Sequence, residues 1–225
     1  TAIYESRYDG EQWSAPAHVA SLHEEGFNNA EPVYSPDGKW LYFTSTRPPG
    51  NPPWNTKVFR APTTQSGYGS VELVDVAIPV SAPVFYPQIT QTGDLLFTSG
   101  GLPGKGRGDV YVANLADSGY QRPTSVPGDF NTQSEEWDLI EHPNALLRLW
   151  VSGREGGAGK IDIYFARKDS RGQWSAAKNF TALNTPGVET APKLSPDSEV
   201  LFFQRIVNKR EQMFWVRLAS VLPRN

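Results

Sequence analysis

Four acids and three arginines recur at fixed places along this chain, and they are its strongest candidates for chemistry. Glu31, Tyr86, Asp138 and Ala191 share one aligned position, and Asn29, Val84, Glu136 and Glu189 share the position two residues earlier. Residues i and i+2 of a regular strand face the same side. Glu31, Glu136, Asp138 and Glu189 are therefore expected to converge. Arg47, Arg154 and Arg205 match one another further on in their repeats and are expected on the same face. Such a ring of carboxylates and guanidiniums suits a polar ligand, a peptide end or a cation such as calcium, which prefers several oxygens. The alternative is that these charges satisfy one another around a wet channel, since buried charges are usually paired. Glu31 with Glu136 or Glu189 also supplies the two carboxylates, about 5 to 10 Å apart, that glycoside hydrolysis needs. Against catalysis, repeat equivalence alone accounts for where these acids fall.

Two tryptophans add stacking surfaces. Trp54 sits in the stretch Arg47-Pro-Pro-Gly-Asn-Pro-Pro-Trp-Asn55, too rich in proline for a strand. An indole on such a loop is a platform for a sugar or a partner, unless it folds down over its own blade. Trp137 begins a strand and is expected to face the channel. Trp13 and Trp174 share a repeat position, which reads as structural. Gly101-Leu-Pro-Gly-Lys-Gly-Arg-Gly108 resembles a phosphate loop only superficially, because no helix follows it. Its Arg107-Gly108-Asp109 carries no adhesion signal, since Asp109 is a repeat residue also seen at Asp162. His18, His23 and His142 show no zinc or iron spacing. No Gly-x-Ser-x-Gly elbow supports a serine triad.

The bulk properties narrow the function classes. A 225-residue chain can build one large domain with its own core. The net charge of -3 gives no electrostatic case for nucleic acid. No apolar run approaches the roughly 20 residues of a membrane helix. The chain has no cysteine, which removes disulfides, thiolate metal sites and a thiol nucleophile.

The elements that must hold the candidate residues come from a repeat. Pro32-Val-Tyr-Ser-Pro-Asp-Gly38 is matched by Pro87–Gly93, more weakly by Leu139–Ala145, and well by Pro192–Ser198, at spacings of 55, 52 and 53 residues. A hydrophobic strand follows each: Leu41–Thr44, Leu95–Thr98, Leu147–Trp150 and Val200–Phe203. A third strand follows at Lys57–Arg60, Asp109–Val112, Asp162–Phe165 and Gln212–Trp215, with a fifth copy at Ala2–Glu5. A fourth, weaker strand is clearest where Asp9–Pro16 parallels Ser170–Ala177. Four short strands every ~50 residues mark propeller blades. The prediction is an all-β propeller of four-stranded antiparallel blades, one domain over 1–225. Its units are approximately 1–26 (partial), 27–80, 81–132, 133–185 and 186–225. Five blades are preferred. The alternative is four blades with the N-terminal strands closing the ring.

Ser-Pro-Asp-Gly followed by Leu-Tyr-Phe-Thr-Ser resembles the TolB-type (WD-like) β-propeller repeat of bacterial envelope proteins. Phe130-Asn-Thr132, Leu183-Asn-Thr185 and the stretch 152–164 are similar to propeller repeats found beside OmpA-type domains. The resemblance implies a periplasmic or extracellular bacterial protein. Because every apparent motif maps onto the repeat, the expectation is a non-catalytic binding or scaffolding propeller that offers one face and its channel to a protein, peptide or glycan of the cell envelope, without nucleic acid or membrane insertion. No cofactor is implied beyond a cation such as calcium in the channel. The runner-up is a carbohydrate-active, glycoside hydrolase-like enzyme using the channel carboxylates.

Overall fold

The computed structural model of the chain describes residues 1–223. Each Ser-Pro-Asp-Gly stretch reverses the chain between two antiparallel strands. In the first, Ser35 Oγ donates to Asp37 Oδ1 at 2.6 Å, and Lys39 N donates to the same oxygen at 3.1 Å. Ser195, Asp197 and Glu199 repeat this arrangement. Where the motif is degenerate, other polar side chains take over. Asp94 N donates to Thr90 Oγ1 in the second repeat, and Leu146 N donates to Asn144 Oδ1 in the third.

Four blades follow from these hairpins. Blade 1 is Asn29–Tyr34, Trp40–Ser45, Lys57–Thr64 and Glu72–Leu73. Blade 2 is Phe85–Ile89, Leu95–Ser99, Asp109–Ala113 and Thr124–Ser125. Blade 3 is Glu136–Glu141, Leu147–Ser152, Asp162–Arg167 and Lys178–Asn179. Blade 4 is Glu189–Leu194, Val200–Val207 and Arg210–Arg217, three-stranded among the described residues. A short helix, Leu218–Val221, follows it. The protein is therefore all-β in its framework, a propeller with four blades.

Alternation along the strands builds a separate apolar layer at each seam. Tyr42 and Val58 of blade 1 pack with Val84, Leu95 and Phe97 of blade 2. Leu96 and Val110 pack with Leu139, Trp150 and Tyr164 of blade 3. Leu149, Val151, Ile163 and Phe165 pack with Leu201 and Phe203 of blade 4. Burying each such side chain contributes roughly 1.5–3 kcal/mol.

Among the described residues the N-terminal strands Tyr4–Glu5 and Ala17–His18 pair only with each other in a two-stranded sheet. They do not join the C-terminal blade. Ile3 and Leu22 instead cover Phe43 and Phe59 of blade 1. In the repeat alignment Ile3 matches Val58, Val110 and Ile163, so the unit lies where the outer half of a preceding blade would lie.

Candidate functional site

Every innermost strand carries the same distortion. The ladder with the second strand shifts between Ala30 and Val33, Phe85 and Gln88, Trp137 and Ile140, and Thr190 and Lys193. The bulged residues Glu31, Tyr86, Asp138 and Ala191 are left-handed, with φ of 56°, 53°, 53° and 51°. None is glycine, so each conformation costs of order 1–2 kcal/mol and is held by its surroundings. The bulge turns these residues toward the axis. Tyr86 N donates to Glu31 Oε2 at 2.8 Å, and Ala191 N donates to Asp138 Oδ2 at 2.9 Å.

The bulge also separates the four acids that strand alternation would bring together. Glu31 and Asp138 face the axis with Lys193. Glu136 and Glu189, both 0% exposed, point into the frame. Glu136 accepts from Thr132 N, Thr132 Oγ1 and Ser152 Oγ. Glu189 accepts from Thr185 N and Thr185 Oγ1, and from Arg205 Nε at 2.7 Å. These bonds tie the start of each blade to its own inner strand and leave little capacity for a ligand.

The three arginines serve the frame as well. Arg47 lies against Phe43 and Phe59 and donates to Leu22 O and Glu24. Arg154 lies against Trp150 and Tyr164 and donates to Phe130 O. Arg205 lies against Phe203 and Phe214 and donates to Leu183 O. Each guanidinium thus bridges the aromatic pair of its blade and the loop leading into it, where cation–π contact adds about 0.5–2 kcal/mol.

Blade 2 breaks this pattern. The expected match of three arginines holds for Arg47 and Arg154, since Arg205 stands level with Ser45 and Ser152 in the ladder. At the position of Arg47 and Arg154 blade 2 has Gly101, whose Cβ would meet the Ala82 backbone at 2.7 Å, so no arginine fits there. A cleft of about 920 Å³ lies here, on the same side of the propeller. Trp54, Phe85, Tyr86 and Trp137 give it aromatic walls, and Glu31 and Arg107 give it charges. Trp54 is 72% exposed, so it stands off its blade. Asn55 Nδ2 donates to Val80 O at 3.0 Å and ties its loop to the one leading into blade 2. Thr98 Oγ1, buried in the wall of the cleft, has no partner among the described residues.

Of the residues expected to form a site, Glu31, Trp54 and Trp137 therefore meet in one cleft. Asp138 lies beside it at the axis. Glu136, Glu189, Arg47, Arg154 and Arg205 belong to the frame. Phe85, Tyr86 and Arg107 are additions. Arg107 was legible only as part of a loop following a second strand, and nothing in its motif marks it.

The axis is electrostatically tense. Burial raises the pKa of Glu31, although Tyr86 N and Thr44 Oγ1 bond to its carboxylate. Burial pushes Asp138 up to about 6, opposed by Lys193 and Ala191 N. Burial lowers Lys193, and the two acids counter it. Among the described residues no group of three or more His, Cys, Asp or Glu is arranged to hold a metal ion.

No family model matches the sequence, and no curated relative does. Solved structures match it at the level of the fold. A putative TolB from Agrobacterium tumefaciens is 19% identical with a TM-score of 0.54, over 91% of this chain and 61% of that one. Prolyl oligopeptidase B from Galerina marginata is 12% identical with a TM-score of 0.56, over 96% of this chain and 30% of that one. A thermostable family-43 glycoside hydrolase is 13% identical with a TM-score of 0.51, over 91% and 78%. The fold is that of a β-propeller. The chain spans less than two thirds of the TolB structure, and at these identities the likeness concerns architecture alone.

Proposed function

We propose that this chain is a non-catalytic binding propeller of the bacterial cell envelope, and that its ligand is a glycan or peptide segment held in the cleft between blades 1 and 2. The observation that carries this reading is the break at Gly101. Blades 1 and 3 carry Arg47 and Arg154 at this position, blade 4 brings the Arg205 guanidinium to its own aromatic pair from two residues earlier, and blade 2 has glycine beside a cleft walled by four aromatic rings. Indole faces suit the apolar face of a sugar or a peptide side chain. Glu31, Thr44 and Arg107 supply polar contacts at the base and rim. Binding is favoured over glycoside hydrolysis because Glu136 and Glu189, one of which would have to pair with Glu31 for catalysis, are already bonded within the frame. The periplasmic or extracellular setting rests on the sequence resemblance. In the same reading the ring has five stations, the fifth carried here only by outer strands.

Calorimetric titration of the chain with a panel of envelope glycans and peptides tests the cleft. Trp54→Ala is expected to weaken binding about tenfold, the loss of one stacked ring. Because Trp54 is exposed, the fold should survive. Equal affinity in Trp54→Ala and Glu31→Gln, or no binding anywhere in the panel, would overturn the assignment.

A further inference from the structure

We infer that the outward face of blade 4 and the N-terminal unit together form a docking slot for a β-hairpin of the chain's own inner-hairpin type. This rests on the five-station reading of the ring and is independent of the cleft. Leu149, Val151, Ile163 and Phe165 form the face of blade 3 that blade 4 covers. Their equivalents in blade 4 are Phe202, Gln204, Met213 and Trp215, paired in the same register. Met213 is 62% and Trp215 is 64% exposed. The same positions in blades 1 and 2, Tyr42 with Val58 and Leu96 with Val110, are buried by the next blade. Three seams in this molecule therefore show what covers such a face.

The N-terminal unit shows what would complement that face. It repeats the turn bonding of the outer half of blade 3. Ser14 N donates to Arg7 O as Ser175 N does to Arg167 O, and Glu11 N caps on Asp9 as Arg171 N does on Asp169. In blade 3, Trp174 lies on Arg148, a residue of the second strand. Its counterpart Trp13 has no second strand beneath it and is 68% exposed. The Tyr4–Glu5 strand pairs on one edge with Ala17–His18 and has no strand on its other edge among the described residues. An apolar sheet face, a free strand edge and an uncovered tryptophan all lack one element, an antiparallel pair of strands. The occupant that fits is a hairpin of about 18–20 residues with a Ser-Pro-Asp-Gly type turn. It would add its second strand to the Tyr4 edge by β-augmentation and lay its apolar side chains on Met213 and Trp215.

The test adds a synthetic peptide copying residues 27–46 to the full chain. Calorimetric binding and hydrogen exchange over 210–217 are then followed. The expected result is saturable binding and slowed exchange. Met213→Lys, a change at an exposed side chain that leaves the fold intact, should weaken binding at least tenfold and leave cleft-ligand titrations unchanged. Three results would overturn the slot: the residue 27–46 peptide does not bind, a scrambled peptide binds equally well, or the chain dimerises through this face and Met213→Lys abolishes the dimer.

Discussion

Asp138 shows how one backbone distortion sets the chemistry of a residue. Its left-handed bulge turns the carboxyl to the axis, where Oδ2 is bonded to Ala191 N and Oδ1 has no partner among the described residues. Glu31, Lys193 and Tyr86 are the titratable groups that face it. Its pKa is raised to about 6 in the fold, against about 3.9 in an unfolded chain. The fold prefers the neutral acid. Its contribution to stability is therefore full below the unfolded value and is lost as pH rises through about 6. The wild type is expected to lose roughly 1–3 kcal/mol relative to Asp138→Asn between about pH 4 and pH 7. Urea midpoints of both proteins across that range check this, and parallel curves would refute it. At this scale the sequence was legible for residue type and repeat position, and for little beyond. Strand alternation put Glu136 beside Asp138, yet a bulge without glycine leaves no mark in the sequence, and it sends the two side chains to different places. The partners of Arg47, Arg154 and Arg205 were hidden for a related reason. The carbonyls they donate to, of Leu22, Phe130 and Leu183, lie in the loop leading into each blade, more than 20 residues away in the chain.

At the scale of the element, each blade is a sheet fastened by the same few side chains. Asn131 bonds both backbone groups of Val110, and Asn184 does the same for Ile163. The following threonine then holds the buried glutamate of the next inner strand. Blade 1 reaches a similar end by a different route, because its carboxylate sits in the loop as Glu24 and its strand position is Asn29. Glu189→Gln is the sharpest test of this fastening. The amide would turn a donor toward Thr185 N or Arg205 Nε, where the carboxylate now accepts from both. Removing the charge also leaves a half-buried guanidinium short of its partner. A loss of about 3–5 kcal/mol is expected, the usual cost of breaking a buried ion pair. It would be read as a lower urea midpoint with an unchanged slope. A loss below about 1 kcal/mol would mean that Thr185 and Arg205 are satisfied elsewhere. The blades themselves were legible because turn chemistry and strand hydrophobicity recur together. The fastening was partly legible, since Asn-Thr recurs before two blades, but its geometry needs the third dimension.

At the scale of the whole molecule, the propeller behaves as a row of blades whose stability passes between neighbours. Blades 2 and 3 are covered on both faces. Blade 1 is covered by blade 2 and by Ile3 and Leu22 of the N-terminal unit. Among the described residues blade 4 is covered on the side of blade 3 alone, and its other face carries Met213 and Trp215 into solvent. In an array held by nearest-neighbour contacts, a unit with one neighbour opens before units with two. Its longest hairpin, Val200–Val207 with Arg210–Arg217, has eight paired positions. On strand length alone it should be the best protected. Burial argues the opposite, and the magnitudes decide between them. Each backbone hydrogen bond contributes about 0.5–1.5 kcal/mol net only while water is kept from it, and on blade 4 one face is open at Met213 and Trp215 and only half-buried at Phe202 and Gln204. Native-state hydrogen exchange should therefore show amides of Phe202, Gln204, Met213 and Trp215 exchanging at least tenfold faster than those of Leu149, Val151, Ile163 and Phe165, the same ladder positions in blade 3. Equal protection would show that the ring opens as one cooperative unit, and that the exposed face of blade 4 costs the molecule nothing.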